Sequence, residues 1–359
     1  MLKALCFLLT LSTLQAADLE SGLSELRAKY NIPGLGVMVT KSNKVLALSA
    51  SGYRKIGFPE KVETSDKFHL GSCTKAMTAT LAAIFVEEGE LNWSDTLGDL
   101  FPELKVHQDL KKIRFDQLLV HRTGIAANPN PNLYEQLSKL KVSKAREKLA
   151  KIFLTKRPKH EVGTYNYSNI GYIVAGHVLE RLSGKSWEKL MASKIFSPLE
   201  MNCGFGPTSS NEELRPTQPW GHIQSAGNPA VASQGDNALF YGPAGTVHCS
   251  MMDWNKFLNI HIDGFNGTDS ILKSSSFKKL HTPYSEEGET YTYGGWRRLE
   301  RRWAKGAVFT HTGSNTLNFS NVWIAPKVEA SLIGVANKGG EGAWTATNKV
   351  IEKAIKLID

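Results

Sequence analysis

Apolar positions change period along the chain, and the changes mark its elements. Leu19, Leu23, Leu26 and Tyr30 recur at helical spacing until Asn31-Ile32-Pro33-Gly34 breaks the run. Residues 35–40 and 45–50 are short β-rich runs on either side of Lys41-Ser42-Asn43-Lys44, which predicts an antiparallel hairpin. Residues 76–86 are apolar and alanine-rich, lack proline and glycine, and end at Glu87-Glu88-Gly89. They predict a buried helix closed by a left-handed glycine. Helical spacing returns over 133–154, 167–182, 187–196 and 251–260, separated by polar loops such as 128–132 and most of 204–238. Strand-like runs follow at 291–296, 307–311, 319–324 and 330–335, and Val350, Ile351, Ala354, Ile355 and Ile358 line one face of a final helix.

Strands at both ends with helices between them predict an α+β fold. Its antiparallel sheet is built from both chain ends and flanked by the terminal helices, with an inserted, mainly helical lobe. The expected division is a sheet lobe over about 17–70 and 245–359 and a helical lobe over about 71–244, with a ligand pocket between them.

Composition changes this picture little. The chain has 359 residues, 41% hydrophobic and 21% charged, which suits a folded protein. A net charge of +9 invites a nucleic-acid reading, but the basic residues are dispersed. The densest run, Lys139 to Lys151, alternates with Leu140, Leu149 and Ile152 as a solvated helix face would. No stacking aromatics or recognition module accompany it, so no nucleic-acid partner is expected. Met1-Leu2-Lys3, the short apolar stretch over 4–14 and Gln15-Ala16-Ala17 predict a signal peptide over residues 1–16, and therefore a periplasmic or secreted domain over 17–359 with no transmembrane anchor. Beyond the leader, Cys73, Cys203 and Cys249 are too few for a disulfide framework; one pair could bridge, and spacing leaves open which. No Cys/His spacing predicts a metal, and no cofactor is expected.

The chemistry starts at Gly71-Ser72-Cys73-Thr74-Lys75, where the long apolar helix begins. Residues three apart share a helix face, so Lys75 can reach the Ser72 hydroxyl. A serine is a poor nucleophile until a base takes its proton, and a desolvated lysine can be that base. Read alone, so short a pattern is more often a helix cap followed by a solvated lysine. Two further features weigh against that reading. Tyr167-Ser168-Asn169 offers a phenol and an amide at the start of a helix, and His311-Thr312-Gly313 ends a predicted strand, where glycine leaves room for a substrate to approach backbone.

With Ser72 and Lys75 as S-x-x-K, Tyr167 and Asn169 as Y-x-N, and His311-Thr312-Gly313 as the third motif, the chain resembles the penicillin-recognising serine hydrolase superfamily. That superfamily contains class C β-lactamases, DD-carboxypeptidases, D-aminopeptidases and family VIII carboxylesterases. Ile32-Pro33-Gly34, the loop over 121–124, Pro243-Ala244-Gly245 and Tyr293-Gly294-Gly295-Trp296 extend the resemblance. It implies a β-lactamase/transpeptidase-like fold and an acyl-Ser72 intermediate. Lys75 and Tyr167 would share the proton work, Asn169 would orient Lys75 or substrate, and Ser72 and Ser314 would supply oxyanion N–H groups. The expected substrates are small esters, amides or short peptides, cell-wall peptide among them. A weak class C-like β-lactamase and a non-catalytic penicillin-binding sensor domain are the alternatives.

One departure bears on specificity. The lysine usual in the third motif, which helps to hold a substrate carboxylate, is His311 here. Arg297, Arg298, Arg301 and Arg302 precede it in a predicted hairpin, and one of them could replace the missing anchor. His69, His107 and His177 are expected to be packing or surface histidines, and His121 to fix its loop. Trp220, His222 and Tyr241 are candidates for the pocket mouth or for plain loop anchors.

Overall fold

The two ends of the chain meet edge to edge in a single antiparallel sheet. The computed structural model describes residues 19, 21–209, 215–224, 230–285, 288 and 290–358. The strands are β1 (Gly34–Lys41), β2 (Lys44–Gly52), β3 (Arg297–Arg301), β4 (Gly306–Ser314), β5 (Phe319–Ala325) and β6 (Ala330–Ala336), in the spatial order β2-β1-β6-β5-β4-β3. β1 and β6 pair from Leu35↔Ala336 to Lys41↔Ala330, which joins the early hairpin to the C-terminal strands. The turn between β1 and β2 places Ser42 and Asn43 at φ 47° and 60°. That is the geometry a two-residue hairpin loop requires, and asparagine tolerates it.

β1 is buried along nearly its whole length because both faces of the sheet are covered. On one face lie α1 (Thr74–Glu87), α2 (Asn169–Ser183) and α3 (Met251–Phe265), whose apolar residues share a core with Met38, Phe309 and Val322. On the other, the helix over 21–29 and α4 (Glu341–Ile355) pack Leu23, Leu26, Val350, Ile351 and Ala354 against Leu35, Val37 and Leu332. α1 is apolar on all sides since it runs through the middle of the larger core; every residue from Thr74 to Phe85 is buried. Gly89 stops it at φ 76°. A small sheet of Lys67–His69, Val247–Ser250 and Gly204–Phe205 leads into α1, and the Cys203–Cys249 disulfide ties its last two strands.

Two expected elements differ. The helix predicted over 133–154 is two, Pro131–Ser138 and Val142–Leu154, because the chain leaves the helix at Lys139 and restarts after Lys141. The strand predicted over 291–296 is a turn flanked by isolated bridges at Tyr291 and Thr292, with Gly295 at φ 72°. The arginine-rich segment does lie in a hairpin, as edge strand β3 paired antiparallel with β4. The predicted leader, residues 1–16, lies outside the described residues. Among the described residues, no helix is long and apolar enough to cross a membrane.

Candidate active site

Ser72 occupies a single 3-10 turn, Gly71–Cys73, between the small sheet and α1. Two glycines let this turn meet the end of β4 backbone to backbone. A Cβ on Gly71, which has φ 51°, would overlap the Ser314 nitrogen and lie 2.7 Å from the Gly313 carbonyl carbon. One on Gly313 would overlap the Leu70 oxygen and come within 2.8 Å of the Ser72 nitrogen. The Ser72 and Ser314 amides therefore belong to two strips of backbone in direct contact. That is where two N–H donors could face one developing oxyanion.

Lys75 is completely buried beside them. Its Nζ lies 3.2 Å from Ser72 Oγ, 2.7 Å from Asn169 Oδ1 and 2.7 Å from the Ala244 carbonyl oxygen. None of these partners is a carboxylate. Burial without a counter-charge draws its pKa from the ordinary 10.5 down to about 7. A neutral amine has two N–H groups, and two carbonyl oxygens stand ready for them. Its lone pair is then left for the Ser72 hydroxyl. The Tyr293-Gly294-Gly295-Trp296 stretch forms the wall behind, for a Cβ on Gly295 would come within 3.1 Å of the Lys75–Ala76 peptide.

Tyr167 completes the group. Its ring centroid is 4.9 Å from Lys75 Nζ. Burial raises its pKa strongly, outweighing a hydrogen bond with Ser72 that lowers it, so it is a phenol at neutral pH. The ring packs 4.3 Å from that of His121. His121 Nδ1 accepts the Ser168 N–H at 3.1 Å, which fixes the entry to α2, and burial holds the imidazole neutral. His121 thus anchors its loop, as expected. Ser168 is the N-cap of α2.

Asn169 donates from Nδ2 to Asn128 Oδ1 at 2.8 Å, which turns its own Oδ1 toward Lys75. Tyr241 donates to the same Asn128 oxygen at 3.1 Å. Asn128 went unnoticed in the sequence, where Asn-Pro alternation marks only a loop. The Asn128 bond ties Tyr241, one of the candidates for the pocket mouth, to the partner of Asn169. Trp220 and His222 are anchors: His222 accepts from the Ile56 N–H at 3.1 Å and bonds the Asn337 oxygen at 2.7 Å, and Lys55 lies over the Trp220 ring.

At the third motif, both ring nitrogens of His311 are engaged inside the protein. Nδ1 faces the Thr312 carbonyl at 2.6 Å and must donate to it; Nε2 then accepts from the Tyr291 hydroxyl at 3.2 Å. Burial, with nearby Lys75, pushes its pKa down to about 3, so it supplies no cation. Thr312 and Ser314 are exposed at the rim, and the Ser314 hydroxyl donates to the Asn318 oxygen at 2.7 Å. Of the arginines, Arg298 contacts Glu300 at 3.3 Å and Arg301 lies over Trp323. Arg297 is exposed, opposite Thr310 in register, and its charge adds slightly to the burial that lowers the His311 pKa. Cys73 is a buried free thiol whose pKa burial raises to about 12, which leaves it inert as a nucleophile. Among the described residues, no group of three or more His, Cys, Asp or Glu side chains is placed to hold a metal.

A serine on a tight turn, a buried lysine one turn on, and a tyrosine just before α2 define a serine hydrolase of the β-lactamase fold. The beta-lactamase family pattern matches residues 19–355, and the chain belongs to that family. It is 25% identical over 329 residues to penicillin-binding protein 4 of Amycolatopsis lactamdurans, covering 86% of this chain and 82% of that one. It is 22% identical to Protein flp of Staphylococcus aureus strain N315, covering 87% of this chain but 61% of that longer protein. Among solved structures, the D-amino acid amidase from Ochrobactrum anthropi SV3, complexed with L-phenylalanine, superposes with a TM-score of 0.74 at 20% identity, covering 94% of this chain and 97% of the amidase. At that identity the likeness establishes the fold.

Proposed function

We propose that the protein is an exported serine hydrolase that cleaves ester or amide bonds through an acyl-Ser72 intermediate, of the carboxylesterase or D-amino-acid peptidase type. The observation that carries this reading is the Lys75 amine, buried, drawn to a pKa of about 7 and 3.2 Å from Ser72 Oγ. In the reaction Ser72 Oγ bonds the substrate carbonyl carbon and its proton passes to Lys75 Nζ. The resulting ammonium is held by Asn169 Oδ1 and the Ala244 oxygen. The oxyanion faces the Ser72 and Ser314 N–H groups. As the carbonyl re-forms, the bond to the leaving group breaks, and the Tyr167 phenol, reprotonated from Lys75, gives that group its proton. Water then attacks the acyl carbon with the same groups in reverse, which releases the acid and restores Ser72.

Substrate choice follows from charge. A neutral His311 offers no carboxylate anchor, which argues against efficient β-lactam turnover and favours esters or amides whose recognition is not charge-led. Arg297 at the rim is the group best placed to recognise a carboxylate when a substrate carries one. Export is supported by the leader-like residues 1–16 and by the Cys203–Cys249 disulfide, which suits an oxidising compartment.

The test is a panel of p-nitrophenyl esters, nitrocefin and peptides ending in D-Ala-D-Ala, with intact mass measured on wild type and Ser72→Ala. The expected result is ester or D-peptide turnover with a mass increment equal to the acyl group, lost in Ser72→Ala. No turnover and no adduct with any member overturns the reading.

A further inference from the structure

His69, which the sequence suggests is a packing residue, is part of a buried polar chain that reaches both sides of the expected oxyanion site. Its Nδ1 accepts the Gly71 N–H at 3.1 Å, directly before the nucleophile. An accepting Nδ1 leaves the ring proton on Nε2, which donates to Asp236 Oδ2 at 3.0 Å. The other carboxylate oxygen accepts from Asn315 Nδ2 at 2.8 Å and from the Asn237 N–H at 2.6 Å. Asn315 follows Ser314, and its own Oδ1 accepts the N–H groups of Leu317 and Asn318 at 3.2 and 2.8 Å, which fixes the turn from β4 into β5. Asn237 reaches the opposite wall, donating from Nδ2 to the Gly245 oxygen at 3.2 Å. Gly245 neighbours Ala244, whose carbonyl holds Lys75.

The His69 and Asp236 side chains are only 1% and 3% exposed. A carboxylate taken out of water destabilises the fold unless donors replace its hydration. This one has three donors, from the strand before Ser72, the turn after Ser314, and its own loop. Neither amide of the oxyanion pair lies in the same element as the other. Their spacing depends on how the 3-10 turn sits against the end of β4, and the Asp236 carboxylate is bonded to Asn315 beside Ser314 and, through His69, to the Gly71 N–H beside Ser72.

We propose that Asp236 is a positioning residue for the oxyanion hole. Bonded to His69 on one side and Asn315 on the other, it holds the Ser72 and Ser314 amides at the spacing a tetrahedral oxyanion needs. This rests on the acyl-Ser72 reading. It adds a residue that touches no substrate and acts on the transition state through backbone.

The experiment compares Asp236→Ala, Asp236→Asn and Asn315→Ala with wild type. The kinetic readout is kcat and KM for a p-nitrophenyl ester, normalised to active sites titrated with a fluorophosphonate. The second readout is amide hydrogen exchange in peptides covering 69–76 and 312–319. Removing an oxyanion donor outright costs about 10²–10³-fold in kcat, and a displaced donor should cost about 10- to 100-fold with KM within about threefold. Asp236→Ala should show that loss, with protection falling in both peptides together. Asp236→Asn, which retains one of the two cross-links, should lose less. Asn315→Ala cuts one arm and should lower kcat in the same way, which keeps the test open if Asp236→Ala does not fold. A kcat per active site within twofold of wild type in Asp236→Asn and Asn315→Ala, or exchange that rises in one peptide alone, overturns the proposal. A wild type that forms no acyl-Ser72 with any ester overturns the hydrolase reading, and the catalytic role of Asp236 with it. A wild type that turns over beside equally active variants overturns the Asp236 role alone.

Discussion

Replacing Lys75 with methionine should abolish turnover and at the same time stabilise the fold. The lysine is held at a pKa of about 7, against an ordinary 10.5, by desolvation. At pH 7 an unfolded chain carries it charged, whereas the folded protein holds it about half charged, a mismatch that costs the fold about 4 kcal/mol. Methionine removes that cost and fills a similar volume. Against it, Asn169 Oδ1 and the Ala244 oxygen lose a donor, at about 1–2 kcal/mol each. The balance at pH 7 is a gain of about 1 kcal/mol. The dependence on pH is the sharper test. The folded pKa lies below the unfolded one, so between about 7 and 10.5 the unfolded chain binds the extra proton. The Lys75 contribution to stability therefore rises with pH through that window, at up to about 1.4 kcal/mol per unit. The methionine variant lacks this slope, so its advantage should shrink above pH 7 and reverse by pH 9. Urea denaturation of both proteins at pH 7, 8 and 9 measures the difference. A difference that stays constant across that range refutes the argument. So would a wild-type kcat/KM that does not fall as pH drops below about 7, where the base is lost to protonation.

Arg297→Ala should raise KM about tenfold for a substrate bearing a carboxylate and leave its neutral ester unchanged, whereas Arg298→Ala, whose side chain contacts Glu300, should alter neither; equal effects on acid and ester remove the anchor. Arg146 is buried between Glu180 and Glu188, with Nη to Oε distances of 2.5 Å, and bonds the Phe240 and Leu239 carbonyls. Arg146→Met should destabilise by about 3–5 kcal/mol in urea, because it leaves two carboxylates facing an apolar side chain. Cys203→Ser opens a loop whose ends are 46 residues apart, and should lower the unfolding free energy by about 4 kcal/mol with kcat per active site unchanged; an unchanged denaturation midpoint would contradict it.

The parts of the site legible in the sequence are those whose geometry is local. Ser72 and Lys75 share one turn, so spacing alone brings them together. Tyr167 and Asn169 bracket a helix start that Ser168 caps, again a local signal. What stayed hidden is what the fold brings from afar. The Ala244 carbonyl that holds Lys75 carries no side-chain signature, and Asn128 looks like any loop asparagine until Asn169 and Tyr241 converge on it. The run over 291–296 alternates like a strand, yet its glycines serve a close approach to the Lys75 peptide that no periodicity encodes. β1, β5 and β6 were readable because burial on both faces leaves them largely apolar.

The same distinction explains why His311 could be located but not interpreted. A histidine in the third motif reads as a weaker cation in place of lysine. In the folded protein its two nitrogens are consumed by Thr312 and Tyr291, and Lys75 nearby makes a second positive charge costly. His121 is pressed to neutrality by burial and by the same lysine. Burial is the chief cause of the lowered pKa of Lys75, His121 and His311 alike, but of the three it is Lys75 that reaches Ser72 Oγ, at 3.2 Å. A proton taken from Ser72 therefore goes to Lys75 with both imidazoles neutral, and the oxyanion depends on backbone N–H groups. Charge is displaced to the rim, to Arg297. On the proposed mechanism reaction and recognition are separated: Lys75 takes the proton inside the fold, and Arg297 at the rim is left to meet a substrate carboxylate.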